Sequence, residues 1–352
     1  MTFPHLGAHF RLNTRFLPIT VTLGLFLAMF GAGALLFDNF IGLQNFLYLL
    51  INNAPLGITA IGMTFVIVTG GIDLSVGSVI ALVGMVSAAL LEQHGWSPGL
   101  VIPLSLAIGT AIGLLHGFLI QYFDVQPFIA TLAGQFLARG LCYVVSIGRI
   151  DIRNETYATL SNHHFELPFG DPPAWINFNV LLLLVVFAAG IYLAHYTRFG
   201  RTVYAIGGSE QSAMLMGLPV AGTKVLVYVL SGFCAALAGV AWSISSVSGW
   251  GLTAKGLEMD AVTAVVVGGT LLTGGLGYVA GTFLGMLVVA TILVLIDFQG
   301  DISTWWVKIV MGILLLIFCL FQKVFERKQS TRTVSGPHAP ARAAARASKA
   351  VG

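Results

Sequence analysis

Charge is what this sequence has least of. Only 9% of its 352 residues are Asp, Glu, Lys or Arg, while 57% are hydrophobic and the mean hydropathy is +0.91. Soluble domains carry roughly a quarter charged residues. The few charges here are not enough to coat a water-facing surface, and they exclude a soluble globular chain. Cysteine is scarce too. Cys142, Cys234 and Cys319 lie in apolar stretches without metal-ligand spacing, so they read as small packing residues and say nothing about redox compartment. The alternation of a membrane β-barrel is missing, as are paired carboxylates and a nucleophile elbow. "GLPVAGTK" (217–224) imitates a phosphate loop, but Thr precedes Lys where that motif needs Lys before Ser or Thr. His5 and His9, and the adjacent His163 and His164, make no metal site. The chain is expected to be no enzyme, to hold no metal or cofactor of its own, and to bind no nucleic acid.

What fills it instead is apolar runs of about twenty residues, the length of a membrane helix. They fall near 16–37, 52–71, 76–91, 99–121, 127–148, 177–195, 223–245, 259–273, 277–296 and 303–322. The expected fold is an all-α polytopic membrane protein with about ten transmembrane helices. The first run is too long for a secretory signal and is taken as a retained span. Leu43–Ile51 reads as a short interfacial helix feeding the second span, with a longer tilted span as the alternative. The 42 glycines suit close helix packing in lipid. "GTAIGLL" (109–115) and "GTFLGML" (281–287) share a frame that fits two five-helix halves. A second match, "GGIDLSVG" (70–77) with "GGTLLTGG" (268–275), fits no such duplication and reads as chance similarity among glycine-rich helices.

Basic residues fix the expected orientation. Arg11, Arg15, Arg198, Arg201, Lys224 and the seven Lys and Arg from Lys323 onward would face one side, against Arg149, Arg153 and Lys255 on the other. The positive-inside rule then puts both termini in the cytoplasm, as an even number of spans requires. The organisation is a cytoplasmic N-terminus (1–15), a transmembrane domain (16–325) and a basic, Ala-rich cytoplasmic tail read as disordered (326–352). An outer loop covers about 149–176 and a cytoplasmic loop about 196–222.

One joint between apolar runs is polar: "VTGGIDLSVGSV" (68–79). Gly70 and Gly71 can end one helix, and Asp73 or Ser75 can cap the next. A broken helix is tolerated at membrane depth only inside protein or beside water, so the stretch is either a plain loop at the inner surface or a kink lining a path. Arg139, within a span, is expected to cap carbonyls or pair with a carboxylate. Glu258 and Asp260 complement a helix N-terminus, and Lys308 can snorkel. In the cytoplasmic loop, Ser209 is an N-cap with Glu210 in the first turn. A short helix through Met216 would end at Gly217 ahead of Pro219, displaying Ala213, Met214 and Leu215 to a partner.

"GMTFVIVTGGIDLSVGSVIAL" (62–82), "PFIATLAGQFLARGLCY" (127–143), "TRFGRTVYAIGGSEQSAMLMGLPV" (197–220) and "VVVGGTLLTGGLGYVAGTFLG" (265–285) resemble, in order, the permease subunits of ribose- and galactose-type bacterial ABC sugar importers. The resemblance covers about 18–325. Within that family, "YAIGGSEQSAMLMG" (204–217) and "FQGDISTWWVKIVMGILLLIF" (298–318) are most similar to a galactofuranose importer membrane subunit. It implies a multi-pass protein of the bacterial inner membrane, surrounded by lipid, that moves a monosaccharide from periplasm to cytoplasm. ATP-Mg would be bound and hydrolysed on a separate cytoplasmic ATPase subunit. A periplasmic binding protein would deliver the sugar, and a second related permease subunit would complete the pathway, with a second copy of this chain as the alternative.

The family's ATPase-coupling loop falls on Thr197–Pro219. It comprises Arg198, Gly200, Arg201, Gly207, Gly208, Glu210, Ala213 and Gly217, with Ala213 and Gly217 on its Ala-xxx-Gly element. The sequence departs from the usual pattern in carrying Gln211-Ser212 before Ala213. Gly70, Gly71, Asp73, Ser75, Arg139, Gly268, Gly269 and Thr273 are the candidates for path or gate. The rival function is an autonomous secondary sugar transporter or channel, working without ATP.

Overall fold

A computed structural model describes residues 17–37, 40–169, 173–300, 303 and 305–334. The expected N-terminus (1–15) and the tail from 335 lie outside the described residues. Helices dominate: α1 (Leu17–Leu36), α2 (Leu43–Val68), α3 (Val76–Glu92), α4 (Pro98–Tyr122), α5 (Pro127–Val145), α6 (Glu155–Asn162), α7 (Phe178–Tyr196), α8 (Arg198–Gly208), α9 (Glu210–Leu215), α10 (Val220–Ser246), α11 (Leu257–Val267), α12 (Val279–Gln299) and α13 (Trp305–Val334). Their boundaries follow local chemistry. Pro98 and Pro127 open α4 and α5, where a missing N–H costs nothing. Asn154, Asn177, Thr197 and Ser209 cap α6, α7, α8 and α9 through their side chains.

Among the described residues, eight helices are long and apolar enough to cross a membrane: α1, α2, α4, α5, α7, α10, α12 and α13. The other two of the roughly ten expected spans are α3 and α11. At 1.5 Å per residue they reach only about 25 and 16 Å, against a hydrocarbon core of about 30 Å. The eighth expected span, 259–273, is therefore corrected: its helix stops at Val267, and 268–278 is irregular. Leu43–Ile51 is likewise no separate interfacial helix but the first turns of α2. At 26 residues, α2 exceeds the bilayer core and must tilt. α13 continues past the expected 325 to Val334.

The core is built around α2, in which every residue from Asn53 to Val68 is buried. It packs on α7, α10, α11 and α12, while α10 also packs on α3 and α4. Glycines set these approaches. Gly109 and Gly113 leave room for Gly232 and the Tyr228 backbone of α10, and Gly281 and Gly285 for Gly268 and Ala264 of α11. Outer faces of α1, α4, α5, α7 and α13 leave Leu27, Leu100, Phe136, Val185 and Leu316 exposed, as lipid contact requires.

The two ends of the bundle differ. One gathers the joints α2–α3 and α11–α12 with α8 and α9. The other carries α6 and two short antiparallel pairs, β1 (Ile150–Asp151) with β4 (Ser248–Gly249) and β2 (His164–Glu166) with β3 (Trp175–Asn177). Tyr157 of α6 is fully buried, and burial pushes its phenol pKa up, against the opposing effect of the Ser243 hydroxyl of α10 and the Ser87 hydroxyl of α3.

Candidate functional site

The α2–α3 joint begins with a glycine in a left-handed conformation. Gly70 (φ 82°) lets its own N–H reach Ile67 O (2.8 Å) and the Gly71 N–H reach Val66 O (3.0 Å), which closes the end of α2. The chain then turns inward rather than out to solvent. Asp73 is 1% exposed, and its carboxylate accepts three hydrogen bonds. Oδ1 takes the Ser75 N–H (3.0 Å) and the Ser75 hydroxyl (2.6 Å), and Oδ2 takes the Ser231 hydroxyl of α10 (2.7 Å). Asp73 thus makes an Asx turn on Ser75, the N-cap residue, that leads the chain into α3 without capping the helix's own N–H groups. Ser75 makes no side-chain cap; its Oγ sits 3.4 Å from His116 Nδ1 of α4. Thr131 of α5 donates to Ile72 O (3.3 Å). Among the described residues Asp73 has no ion-pair partner. A carboxylate with three donors is satisfied without one, and this one ties the joint to α10.

The joint between α11 and α12 repeats the device. Gly268 is the C-cap and Gly269 (φ 92°) the left-handed residue; its N–H reaches Val266 O (3.0 Å) and that of Thr270 reaches Val265 O (3.2 Å). Gly269 thus does at the end of α11 what Gly70 does at the end of α2, one position out of register with the sequence match of 70–77 to 268–275, which therefore does not align the two turns; the two joints nevertheless meet. Gly275 N–H donates to Val68 O (2.9 Å), and Gly70 lies against Thr273 O. Thr64 of α2 and Thr282 of α12 share a hydrogen bond of 2.7 Å beside the contact.

Helix α8 sits directly on this meeting point. Gly207 packs between Val68 O and the backbone of Gly275, with no room for a Cβ. Phe199 lies against Phe65 (ring centroids 5.9 Å), and the Tyr204 hydroxyl donates to Gly277 O (2.7 Å). Gly200 fits against the Leu193 and Ala194 carbonyls where α8 turns off α7. Beyond it, the short helix follows expectation: Ser209 caps, Glu210 opens α9, and Gly217 (φ 74°) ends it. Glu210 also pairs with Lys224 of α10 (2.9 Å). One expectation is corrected. Ala213 is not displayed but fully buried between Ile206 and Val220, because α9 must cover the apolar edge of α8 and α10. Met214, Leu215 and Met216 form the exposed apolar tip, at 54%, 84% and 67%. Arg198 and Arg201 line a cavity of about 670 Å³ between α8 and α10, and Gly208 faces open space.

The structure therefore brings Gly70 and Thr273 together at the contact on which α8 sits, while Gly71, Asp73 and Ser75 face α10 and α4, Gly268 and Gly269 pack on α12 and α1, and Arg139 lies apart. That residue donates to Gly251 O (2.6 Å) and Thr253 O (2.8 Å). It caps the carbonyls of the irregular stretch before α11, as one of its two expected roles had it. Glu258 and Asp260 do lie in the first turn of α11. Lys308 pairs with Asp260 (2.8 Å) rather than reaching for the interface. Ser231, His116 and Tyr228 escaped the sequence reading, although a polar residue inside an apolar run was the signal available.

The family described as "Branched-chain amino acid transport system / permease component" matches residues 45–319. The chain is 44% identical over 321 residues to the inner membrane ABC transporter permease protein YjfF of Escherichia coli K12, covering 90% of this chain and 96% of that one. It is 39% identical over 317 residues to the fructose import permease protein FruG of Bifidobacterium longum, covering 89% and 93%. It is 36% identical over 301 residues to the ribose import permease protein RbsC of Bacillus subtilis, covering 86% and 91%. No solved structure matches the chain.

Proposed function

Because the chain belongs to the family of branched-chain amino acid transport permease components, and to its branch of ABC sugar permeases, we propose that it is the membrane-spanning subunit of an ATP-driven monosaccharide importer, with galactofuranose as the sugar. It lies in the inner membrane as a multi-pass protein. ATP is hydrolysed on a separate subunit that grips the Met214–Met216 tip from the cytoplasm, and a periplasmic protein delivers the sugar to the far side. The observation that carries this is the seat of α8. A push on α9 reaches the two glycine-ended joints through Gly207, Phe199 and Tyr204 without an intervening loop. Each joint adjoins one short helix, α3 after the first and α11 before the second, and moving them relative to each other would open or close a path. A related permease subunit completes that path, and the motif likeness at 204–217 and 298–318 supports galactofuranose.

An autonomous secondary transporter would need a titratable site open to a water-filled cavity. Asp73 is enclosed and fully hydrogen-bonded, which favours the structural role. The deciding experiment is purification of the C-terminally tagged chain from native membranes in mild detergent, with mass spectrometry of its companions. An ATPase and a second permease are expected, and Leu215→Arg should lose the ATPase while the chain stays folded. A chain that came out alone and moved sugar in liposomes without ATP would overturn the proposal.

A further inference from the structure

At the end of the bundle opposite α9, a cavity of about 410 Å³ opens between α2, α10 and the β2–β3 hairpin. Its volume lies in the range of small-molecule sites, about 300–1,000 Å³. Trp175 and Trp242 line it together with His164, Asn52, Asn177 and Ser245. Among the described residues no Lys, Arg, Asp or Glu lines it, and its amides and hydroxyls suit a lipid tail poorly. Aromatic surface combined with neutral donors and acceptors suits a polyol ring, whose C–H groups pack on aromatic rings while its hydroxyls hydrogen-bond at the edges.

The lining is held in place before any ligand arrives. Gln44 clamps Trp175 at both backbone groups, accepting from its N–H (2.8 Å) and donating to its carbonyl (3.3 Å). The indole rests against the His164 ring (centroids 4.0 Å) and meets Tyr48 near a right angle (5.6 Å). Asn179 donates to Ser245 and fixes it from behind, leaving its own buried Oδ1 without a partner. The Asn52 amide and the indole N–H groups of Trp175 and Trp242 make no hydrogen bond among the described residues. A half-buried indole N–H ordinarily finds one.

We propose that this cavity is a monosaccharide subsite of the permease itself. Trp175 and Trp242 pack on the sugar ring, and Asn52 with the indole N–H groups binds its hydroxyls. The inference rests on the sugar-importer reading above. It would give the sugar a first foothold after release on the outer side.

The test uses the purified chain with its companion subunits in lipid nanodiscs. Saturation-transfer NMR is recorded with D-ribose, D-fructose, D-galactose and methyl β-D-galactofuranoside. A saturable signal on the C–H protons of at least one sugar is expected. Trp242→Phe and Asn52→Ala should each weaken that binding, by about fivefold for the aromatic contact, with unchanged melting. Because Asn52 is exposed, its variant keeps the test open if the tryptophan variant folds poorly. No saturable signal from any of the four sugars, or equal binding by wild type and both variants, would overturn the proposal. An ATPase recovered with a chain that binds no sugar would sink the subsite and leave the importer standing. Sugar bound by a chain that carries no ATPase would do the reverse.

Discussion

Gly207→Ala puts the link between the coupling helix and the glycine joints to its sharpest test. A Cβ on Gly207 would lie 2.9 Å from the Gly275 Cα, and nearer still to Val68 O and Gly275 N. Carbon contacts begin at about 3.5 Å, and the obstacles here are backbone atoms with no rotamer to change. Either α8 lifts away or the 270–278 turn retreats, by on the order of 1 Å, and the Gly275–Val68 hydrogen bond opens. Overpacking costs about 1–3 kcal/mol, and the lost bond about 1 more. Alanine's better helix propensity returns up to about 1 kcal/mol. The net cost is about 1–3 kcal/mol, several degrees in melting temperature. Gly208 supplies the control. It is the next residue of the same helix, nothing lies within 4 Å of its Cβ direction, and Gly208→Ala should be neutral or slightly stabilising. Thermal unfolding of the detergent-purified chains reads the stability difference. ATP-driven uptake of labelled sugar reads the coupling, and a displacement of about 1 Å should lower it at least tenfold. Gly207→Ala behaving like Gly208→Ala in both assays would refute the direct seat of α8 on the joints.

Ser231→Ala removes one of the three donors to Asp73 and should cost about 1–3 kcal/mol in thermal unfolding; Asp73→Ala, which strands all of them, should cost more, and the opposite order would contradict the network. Arg139→Gln should loosen 250–256, because two carbonyls lose their donor; faster amide exchange confined to that stretch is the expected readout, and an unchanged pattern would remove Arg139 from that role. Tyr157 lies outside the spans with its pKa raised by burial, so its protonated form favours the fold. That stabilisation is whole below the unfolded phenol value of about 10 and fades as pH rises through the folded value. Tyr157→Phe should flatten the fall in melting temperature above pH ~10 relative to wild type, and identical pH profiles would refute the assignment. Lys224→Ala breaks a partly exposed ion pair with Glu210 and should cost at most about 1 kcal/mol; a larger loss would mean the pair anchors α9.

Much of the protein was legible from the sequence, because much of it depends on neighbours in the chain. Composition and run length determine that it is a membrane protein, and they placed most spans within a few residues. Capping is equally local, so Ser209, Glu210 and Gly217 delimit α9 as expected and Gly70 ends α2, although neither Asp73 nor Ser75 caps α3 through its side chain. The fate of a side chain is not local. Nothing near Asp73 says that its third donor is Ser231, 158 residues away. Ala213 looks as exposed as Leu215 until α9 folds down on Ile206 and Val220. The 259–273 run is apolar throughout, yet its helix stops at Val267, where Gly268 closes on Gly281 and the chain turns to meet α2. The glycine pairs at 70–71 and 268–269 were both visible in the sequence, but nothing in it says that the turns they make would touch. Only the tertiary structure set the two joints against each other and laid Gly207 across them. Such a meeting is fixed by how closely whole helices can approach, and that depends on every residue packed around them.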